Sequence, residues 1–416
     1  MSQRPRVRVV HCDHRADDEA VYQAVCRAVA PLDAAWQRLA GARRIALKIN
    51  QDKMPDAVVW HAGQRQQLVS DAVVRAVLRL LRERTSAELV CVDTSFYALY
   101  NGRTAAETCT IAPVLREFAV PLIDGTTAPV RQVAVPGGGA MFARYPILAA
   151  LLDADAVVSL ATIKNHVFTG ITGCLKNLFG TMPGEPAGRP RTYYHHLVRM
   201  PYVLADIGRI LQPALNIVDA LVGQAGQEWS AWAPAEPLAR VVDALIAGDH
   251  VIATDAVMAH LMGHDPAADW RTPPFHRDRN ALRVAAEHGF GTVDLAAIDW
   301  HSEVPPQAAG RFFAIATDAP ARTWRWQQTM AEQALFYDAH RERFARYAGA
   351  YILLQDGAVQ WHGRDGAPGV SRRALAHDRP DHAIWFKYVD PDEAEGEQFA
   401  VYRQRLAALA EAPPPS

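Results

Sequence analysis

A lysine, a histidine and a Lys-Asn pair lie close together in a glycine-rich segment, residues 164–180. The histidine is His166, and it lies between Lys164 and the pair formed by Lys176 and Asn177. An imidazole can give or take a proton near neutral pH, and an ammonium group can bind an anion or shift the pKa of a neighbour. The segment therefore predicts a site for acid/base chemistry on an anionic small molecule.

The segment follows a short apolar run rich in β-branched residues, residues 155–161, which predicts a buried parallel strand. The charged residues would then occupy a loop at the carboxyl end of that strand, where open α/β sheets bind ligands. Thr172 could cap a helix whose first turns hold Lys176 and Asn177, and a helix N-terminus favours an anionic ligand. The structural alternative is a loop leading into a helix, with solvated lysines and a hydrogen-bonded histidine. The combination of three such side chains favours the functional interpretation.

Other polar side chains follow predicted strands. Residues 44–49 and 88–93 are apolar runs that predict neighbouring parallel strands, and a later strand is predicted over residues 214–219. Because the carboxyl ends of parallel strands meet at one edge, we expect their polar residues to line the same site as the 164–180 segment. These candidate ligand-binding residues are Lys48, Asn50, Asp93, Ser95 and Asp219.

The whole chain alternates strands and helices, starting with a helix over residues 17–39. Such alternation predicts an α/β fold with mostly parallel, doubly wound sheets in two Rossmann-like halves, followed by an α+β C-terminal extension. The expected domains are residues 1–160, 161–300 and 301–416. Within the extension we expect a strand over 311–317, helices over 320–347 and 390–412, and a hairpin of 351–354 with 359–362. The extension could cover the site or form a homodimer contact.

Two adjacent histidines, His195 and His196, follow a turn-rich stretch. That stretch, residues 183–190, predicts a mobile flap over the site. The histidine pair could bind a metal ion, relay protons or cap the next helix, and the sequence leaves these three roles open.

Composition excludes several classes of protein. The chain has 416 residues, half of them hydrophobic, and a formal net charge of −2, which is not the footprint of a nucleic-acid or anionic-membrane binder. It shows no signal peptide and no apolar stretch of about 18 residues, so we expect a soluble, cytoplasmic protein. Five scattered cysteines without a Cys-x-x-Cys pair argue against a disulfide framework, a structural zinc site or an iron–sulfur cluster.

The spacing of the central segment resembles a known signature. Lys164-x-His166-x-x-x-Gly-x-Thr-Gly-x-x-Lys176-Asn177-x-Phe-Gly is similar to that of the bacterial and archaeal family known as domain of unknown function 362. Further landmarks agree in order: Lys48-Ile49-Asn50, Asp93-Thr94-Ser95, Ile217-Val218-Asp219 with Gly223 and Gly226, and Ala247-Gly248-Asp249 with Asp255 and Met262-Gly263. The resemblance covers roughly residues 44 to 300. Ile49 replaces the usual proline, and the iron–sulfur cysteine motif of some relatives is absent.

A more distant resemblance is to lactate racemase and its relatives. That family carries a histidine, a glycine-rich turn and a lysine, which resemble His166, residues 170–173 and Lys176. The resemblance implies an acid/base role for the histidine and a lysine that can hold a nickel-pincer nucleotide covalently. For the family's metal-binding histidine, His195 or His196 is the nearest candidate. The family's second acid/base histidine has no match in residues 94–102, which puts racemisation in doubt.

The sequence thus predicts an enzyme that acts on a small carboxylate-bearing metabolite by proton, hydride or redox chemistry. Lys176, Asn177 and the helix start would hold the anion, His166 would be the general acid/base, and Lys164 would bias its pKa or contact the substrate. One alternative is a metal-dependent oxidoreductase that uses His166 with the histidine pair. Another is a non-catalytic ligand- or cofactor-binding protein. A divalent metal and a lysine-linked cofactor are both left open, whereas neither a P-loop nor a Gly-x-Gly-x-x-Gly fingerprint is present.

Overall fold

The computed structural model describes residues 4–97, 102–184, 193–226, 238–364, 372–377, 383–412 and 414. Its strands are β1 Arg6–His11, β2 Arg44–Ile49, β3 Trp60–His61, β4 Gln64–Arg65, β5 Glu88–Asp93, β6 Leu122–Asp124, β7 Val130–Ala134, β8 Arg144–Leu148, β9 Ala156–His166, β10 Gly170–Thr172, β11 Leu215–Gln224, β12 Ala239–Gly248, β13 Asp299–Ser302, β14 Tyr351–Gln355, β15 Ala358–Gly363 and β16 Trp385–Tyr388.

The α-helices are α1 Asp18–Val29, α2 Asp33–Ala40, α3 Asp71–Arg84, α4 Ala105–Thr108, α5 Ala112–Glu117, α6 Ala149–Leu152, α7 Cys174–Asn177, α8 Met200–Leu211, α9 Val251–Leu261, α10 Ala281–Glu287, α11 Pro320–Ala339, α12 Arg341–Phe344, α13 Arg372–Leu375 and α14 Ala400–Glu411. Short 3₁₀ helices cover Pro55–Ala57, Leu178–Thr181, Leu295–Ala297 and Ala345–Tyr347.

A nine-stranded sheet forms the centre, in the order β13-β1-β12-β11-β9-β2-β5-β6, with β10 added to the end of β9. Five pairs are parallel (β1 with β13, β11 with β9, β9 with β2, β2 with β5, β5 with β6), whereas β12 is antiparallel to both of its neighbours and β10 is antiparallel to β9. The prediction of a mostly parallel α/β sheet is therefore confirmed. Both predicted halves contribute to this one sheet, and the expected boundary at residue 160 falls within β9.

Helices cover both faces of the sheet. On one face, α1 and α3 pack on the apolar side chains of β2 and β9. Ser70 caps α3 by accepting an N–H bond from Val73, and the helix turns a continuous apolar side toward the sheet. On the other face lie α8, α9 and α10. The carboxyl ends of β2, β5, β9 and β11 consequently meet at one edge, between the two helical layers.

The extension has its own small sheet, β15-β14-β16, with α11 and α14 beside it. Its buried aromatic residues Tyr337, Tyr351 and Trp385 belong to the same hydrophobic cluster as α8 and α9. The extension is thus packed directly against one face of the central fold.

Several predicted boundaries are wrong. The helix expected over 17–39 is two helices, because Pro31 cannot donate the backbone bond that would continue α1. Strand β7, Val130–Ala134, pairs only with β8 and lies outside the central sheet. No strand covers 311–317, where the described backbone shows an isolated bridge between Gly226 and Ala314. The two C-terminal helices are shorter than expected, since α11 ends at Ala339 and α14 begins at Ala400.

Within the described ranges, no helix has both the length and the apolar content needed to cross a lipid bilayer.

Buried charges join the extension to the residue that precedes α8. The Arg199 guanidinium is fully buried and lies 2.7 Å from Glu397 Oε1, and it also donates to the Tyr402 hydroxyl at 2.8 Å. Lys387, which is equally buried, lies 2.9 Å from the other carboxylate oxygen of Glu397. Lys387 also pairs with Glu395, so two cations face two carboxylates, and removal of one charge leaves a costly imbalance.

We predict that Arg199→Met lowers the free energy of unfolding by about 3 kcal/mol or more, because it leaves the buried Glu397 carboxylate without one of its cationic partners. Urea unfolding measures the change. The matched control is Arg103→Met, since Arg103 forms an exposed i,i+4 pair with Glu107 and should cost less than about 1 kcal/mol. Equal effects of the two substitutions would contradict the prediction.

Candidate functional site

Lys164 and His166 lie on strand β9, which corrects the expectation that they occupy a loop. The strand continues to His166 because β10 folds back on it, pairing Gly170 with His166 and Thr172 with Lys164. Gly170 makes this turn with a φ of +74°, a conformation that favours glycine. Every residue of β9 is buried. Pairing with the short strand that follows the turn, which an apolar pattern does not reveal, holds both side chains in a rigid element.

Lys164 brings together two residues that follow β2. Its ammonium donates to Asn50 Oδ1 at 3.0 Å and to the Gln67 carbonyl at 2.8 Å. Lys53 donates to the side-chain oxygen of Gln67 at 2.8 Å. The Lys164 side chain is fully buried, so it contributes positive potential to this edge of the sheet from inside the protein.

Lys48 and Asp93 form a buried ion pair at the ends of β2 and β5. The Lys48 ammonium lies 3.1 Å from Asp93 Oδ1, and both side chains are less than a twentieth exposed, at 4% and 2%. Gln51 donates to the other carboxylate oxygen of Asp93 at 2.5 Å. Burial raises the pKa of Asp93, and the Lys48 charge partly opposes that shift. As predicted from their positions after parallel strands, these residues lie at the same edge.

The His166 imidazole is 3% exposed and has a defined hydrogen bond. Its Nδ1 accepts the backbone N–H of Phe168 at 3.0 Å. The Phe168 ring contacts His166, with ring centroids 5.5 Å apart, and His195, at 5.2 Å. His195 also packs on Phe179 at 5.2 Å. The structure therefore places His166 and His195 against the same aromatic ring.

His196 lies in a different environment from His195. Its Nδ1 is 3.2 Å from the Leu197 carbonyl, and its Nε2 is 3.2 Å from the Ile384 carbonyl and 3.3 Å from the Phe386 N–H. Both ring nitrogens thus contact backbone groups, two of them in or next to β16. The two adjacent histidines thus contact different groups: His195 packs on aromatic rings, and His196 contacts the backbone. A shared metal site formed by the pair stays a prediction.

A different group of metal-ligating side chains was missed by sequence reasoning. Among the described residues, Asp13, His14 and Asp243 have ligand atoms within 4.8 Å of one another. His14 Nδ1 lies 2.7 Å from Asp243 Oδ1, so the geometry is that of a histidine–carboxylate hydrogen bond. The available signal was the Asp-His dipeptide just after β1, at the carboxyl end of a strand.

Ser95 and Asp219 contact protein groups at the same edge. Ser95 donates to Asp52 Oδ1 at 3.1 Å and accepts from the Thr108 hydroxyl at 3.0 Å. Asp219 accepts the N–H groups of Ser70 at 2.8 Å and Leu221 at 3.1 Å. Burial raises the pKa of Asp219, and these two hydrogen bonds partly counter the shift. Asp219 therefore fixes the start of α3 to β11.

The first turn of α7 is capped by Asp255, not by Thr172 as expected. The Asp255 carboxylate accepts the N–H groups of Cys174 and Leu175, each at 2.8 Å. Thr172 pairs with Lys164 in the β-ladder, and its hydroxyl is buried with no hydrogen-bond partner in the described part of the chain. The helix start that was expected to bind a substrate anion already binds an internal carboxylate.

Asn177 is also engaged within the protein, whereas Lys176 is partly exposed on α7. The Asn177 amide donates to the Lys48 carbonyl at 2.9 Å, to the Ser159 hydroxyl at 3.0 Å and to the Leu160 carbonyl at 3.2 Å. It ties α7 to β2 and β9, which gives it a positioning role in place of the expected anion contact. Most of the flap expected over 183–190 lies outside the described residues, which end at 184 and resume at 193.

Arg277 is a second group that sequence reasoning missed. Its guanidinium carbon lies 4.4 Å from the centroid of the Phe168 ring, the ring that His166 and His195 both contact. The segment that carries Arg277 packs on the β9–β10 turn, where a Cβ on Gly170 would lie 2.7 Å from Phe275. The only local signal was a charged stretch after two prolines, which does not predict contact with β9.

Gly173→Ala should destabilise the protein by about 1–3 kcal/mol, the usual cost of overpacking a filled site. A Cβ at this position would lie 2.4 Å from Asp255 Oδ1 and would displace the cap. Gly41→Ala is the control, because its Cβ would meet nothing closer than 3.9 Å and its φ of −86° suits alanine. Urea unfolding of both variants measures the change in the free energy of unfolding. If Gly173→Ala is as stable as the wild type, the packing argument is contradicted.

Asp255 should make stability depend on pH. Burial raises its pKa from 3.8 to about 7, and the two N–H bonds only partly oppose the shift. Its contribution is complete below the unfolded pKa and declines as pH rises toward 7, because unfolding then releases a proton. Relative to Asp255→Asn, the wild type should lose stability between about pH 4 and pH 7. Identical pH profiles of the two proteins in urea unfolding would show that Asp255 titrates normally.

Comparisons with known proteins identify the family to which the chain belongs. The family profile described as domain of unknown function (DUF362) matches residues 45–260. A thylakoid-associated protein of Synechocystis is 24% identical over 218 residues, 51% of this chain and 63% of that protein, so the chain spans less than two thirds of that relative. The lactate racemase apoprotein of Thermoanaerobacterium thermosaccharolyticum aligns with a TM-score of 0.32 and 13% identity, over 53% of this chain and 50% of that one. Since the family profile covers half of the chain, the protein belongs to the domain of unknown function 362 family.

Proposed function

We propose that this protein is an enzyme that acts on a small carboxylate-bearing metabolite by acid/base-assisted chemistry at His166. The observation that carries the proposal is the backbone N–H of Phe168, which donates to His166 Nδ1 at 3.0 Å. It orients a buried imidazole at the carboxyl edge of a largely parallel sheet, where α/β folds bind ligands. An oriented histidine in such a position is a candidate general acid/base.

The hydrogen bond also selects the form of the imidazole. A ring nitrogen that accepts an N–H bond carries no proton, so neutral His166 has its proton on Nε2. His166 is therefore arranged to give a hydrogen bond or a proton from Nε2, and to recover it in the reverse step. This is the form required to stabilise negative charge that develops on a substrate oxygen.

The surrounding charges support an anionic substrate. Lys48 and Lys164 place two buried ammonium groups at the same sheet edge, and Asp93 offsets the charge of the first. Because Lys164 is fully buried, it acts on the site through its field, which water screens weakly there. Lys176 and His195 are partly exposed, so they can contact a substrate directly.

A divalent metal bound by His166 with His195 or His196, and a cofactor linked to Lys176, stay predictions from the sequence. The same holds for a cytoplasmic location and for a homodimer.

His166→Gln should reduce turnover by about 10²- to 10⁴-fold, the usual contribution of a positioned acid/base. Protein purified from its native host is incubated in D₂O with single enantiomers of lactate, malate and glycerate. The readout is consumption or inversion of the starting acid, or exchange of its carbon-bound hydrogen for deuterium. Inversion and deuterium exchange report proton transfer at the hydroxy carbon. Consumption is measured with NAD⁺ or an artificial electron acceptor added, because hydride or redox chemistry needs an acceptor for two electrons.

His301→Gln is the matched control, because His301 is an exposed histidine on the edge strand β13. It should retain wild-type turnover. The proposal is overturned if the wild type changes none of the acids, or if His166→Gln is as active as the control.

A further inference from the structure

Arg277 is the cationic group that contacts the aromatic ring beside His166. Its guanidinium lies over the face of Phe168, 4.4 Å from the ring centroid, while His166 and His195 meet the same ring in edge-to-face contacts. The Arg277 side chain is 20% exposed, whereas the whole His166 residue is only 3% exposed. A molecule that approaches His166 past Phe168 would therefore meet the guanidinium.

Among the described residues, few groups contact this guanidinium. Its Nη1 donates to the Thr317 hydroxyl at 3.1 Å and lies 3.5 Å from Asp318 Oδ2. In the parts of the chain that the structure describes, no hydrogen bond engages Nε or Nη2. Asp278, the next residue, already pairs with Arg405 at 2.7 Å.

The charge of Arg277 is consequently undercompensated. Burial lowers its pKa, and the two carboxylates nearby, Asp318 and Asp278, only partly oppose the shift. A desolvated cation in this condition gains free energy from an anion. The guanidinium is planar and presents parallel N–H groups, so the anion that fits it best is a carboxylate bound through both oxygens.

We propose that Arg277 binds the carboxylate of the substrate through Nε and Nη2, with Phe168 holding the guanidinium plane beside His166. The assignment rests on the function proposed for His166 and names the residue that selects carboxylate-bearing substrates. It also gives residues 301–416 a role in the site. Thr317 and Asp318 hold the guanidinium, and Gln327 donates to the Arg277 carbonyl at 2.5 Å.

Binding is measured by calorimetric titration with lactate, malate and glycerate, and with lactamide as the uncharged analogue, at constant ionic strength. Wild type should bind at least one of the acids and bind lactamide more weakly than lactate. Arg277→Gln should weaken binding of the acid by about tenfold or more, as expected when a charge-assisted hydrogen-bond pair is lost. Arg277→Lys keeps the positive charge but loses the two parallel N–H donors of the guanidinium, so its affinity for the acid should be intermediate. Arg283→Gln makes the same charge change at a 45%-exposed arginine and should bind like the wild type.

Asp318→Asn tests the same proposal by a gain in affinity for the acid, which misfolding would not produce. Removal of this carboxylate leaves Arg277 less compensated, so the acid should bind about 2- to 5-fold more tightly, the range that a weak ion pair allows. If Arg277 had only a structural role, Asp318→Asn would leave binding unchanged or weaken it.

The proposal is overturned if the wild type binds none of the acids, if Arg277→Gln binds them as tightly as Arg283→Gln does, or if Asp318→Asn gives no gain. Titration needs no turnover, so its result is separate from that of the His166 assay. Carboxylate binding through Arg277 without turnover would overturn the proposed function alone. Turnover that survives Arg277→Gln with unchanged affinity would overturn the Arg277 assignment alone.

Discussion

The geometry of the site depends on one buried carboxylate, that of Asp255. It accepts two backbone N–H groups at the start of α7 and packs so closely on Gly173 that a side chain there would overlap it. This cap sets the turn that joins β10 to α7. From the end of α7, Asn177 reaches backbone carbonyls of both β2 and β9. A single helix start thereby fixes the positions of the strands that carry Lys48, Lys164 and His166.

The same cap changes where an external anion can bind. Helix N-termini attract anions, but this one is occupied by an internal carboxylate. The buried lysines of the sheet edge likewise contact protein oxygens. Arg277 differs from them in two ways. Nearby carboxylates only partly oppose the lowering of its pKa by burial, and part of its side chain reaches solvent. The basic residue available to a substrate is therefore the one whose charge the protein compensates least, Arg277.

The C-terminal extension is tied to the central fold by buried charge as well as by apolar packing. Arg199 and Lys387 form a compensated group with Glu395 and Glu397, and none of these side chains is exposed. Such groups add little net stability, yet they tolerate few alternative arrangements. They hold the extension against the start of α8, and the extension in turn supplies the hydroxyl and carboxylate that contact Arg277. The position of Arg277 relative to His166 is thus a property of the tertiary structure.

The sequence by itself determined the elements whose signals are local. β2 and β5 have the predicted bounds because short apolar runs between polar residues specify buried strands, and the spacing of His166, Lys176 and Asn177 was sufficient to recognise the family. Only the tertiary structure decided which groups meet. Asp255 caps a helix 81 residues before it in the chain, and Arg277 stacks on Phe168. Patterns along a chain report burial and backbone preference, whereas the pairing and charge compensation of distant side chains arise only when the sheet and its helices close around them.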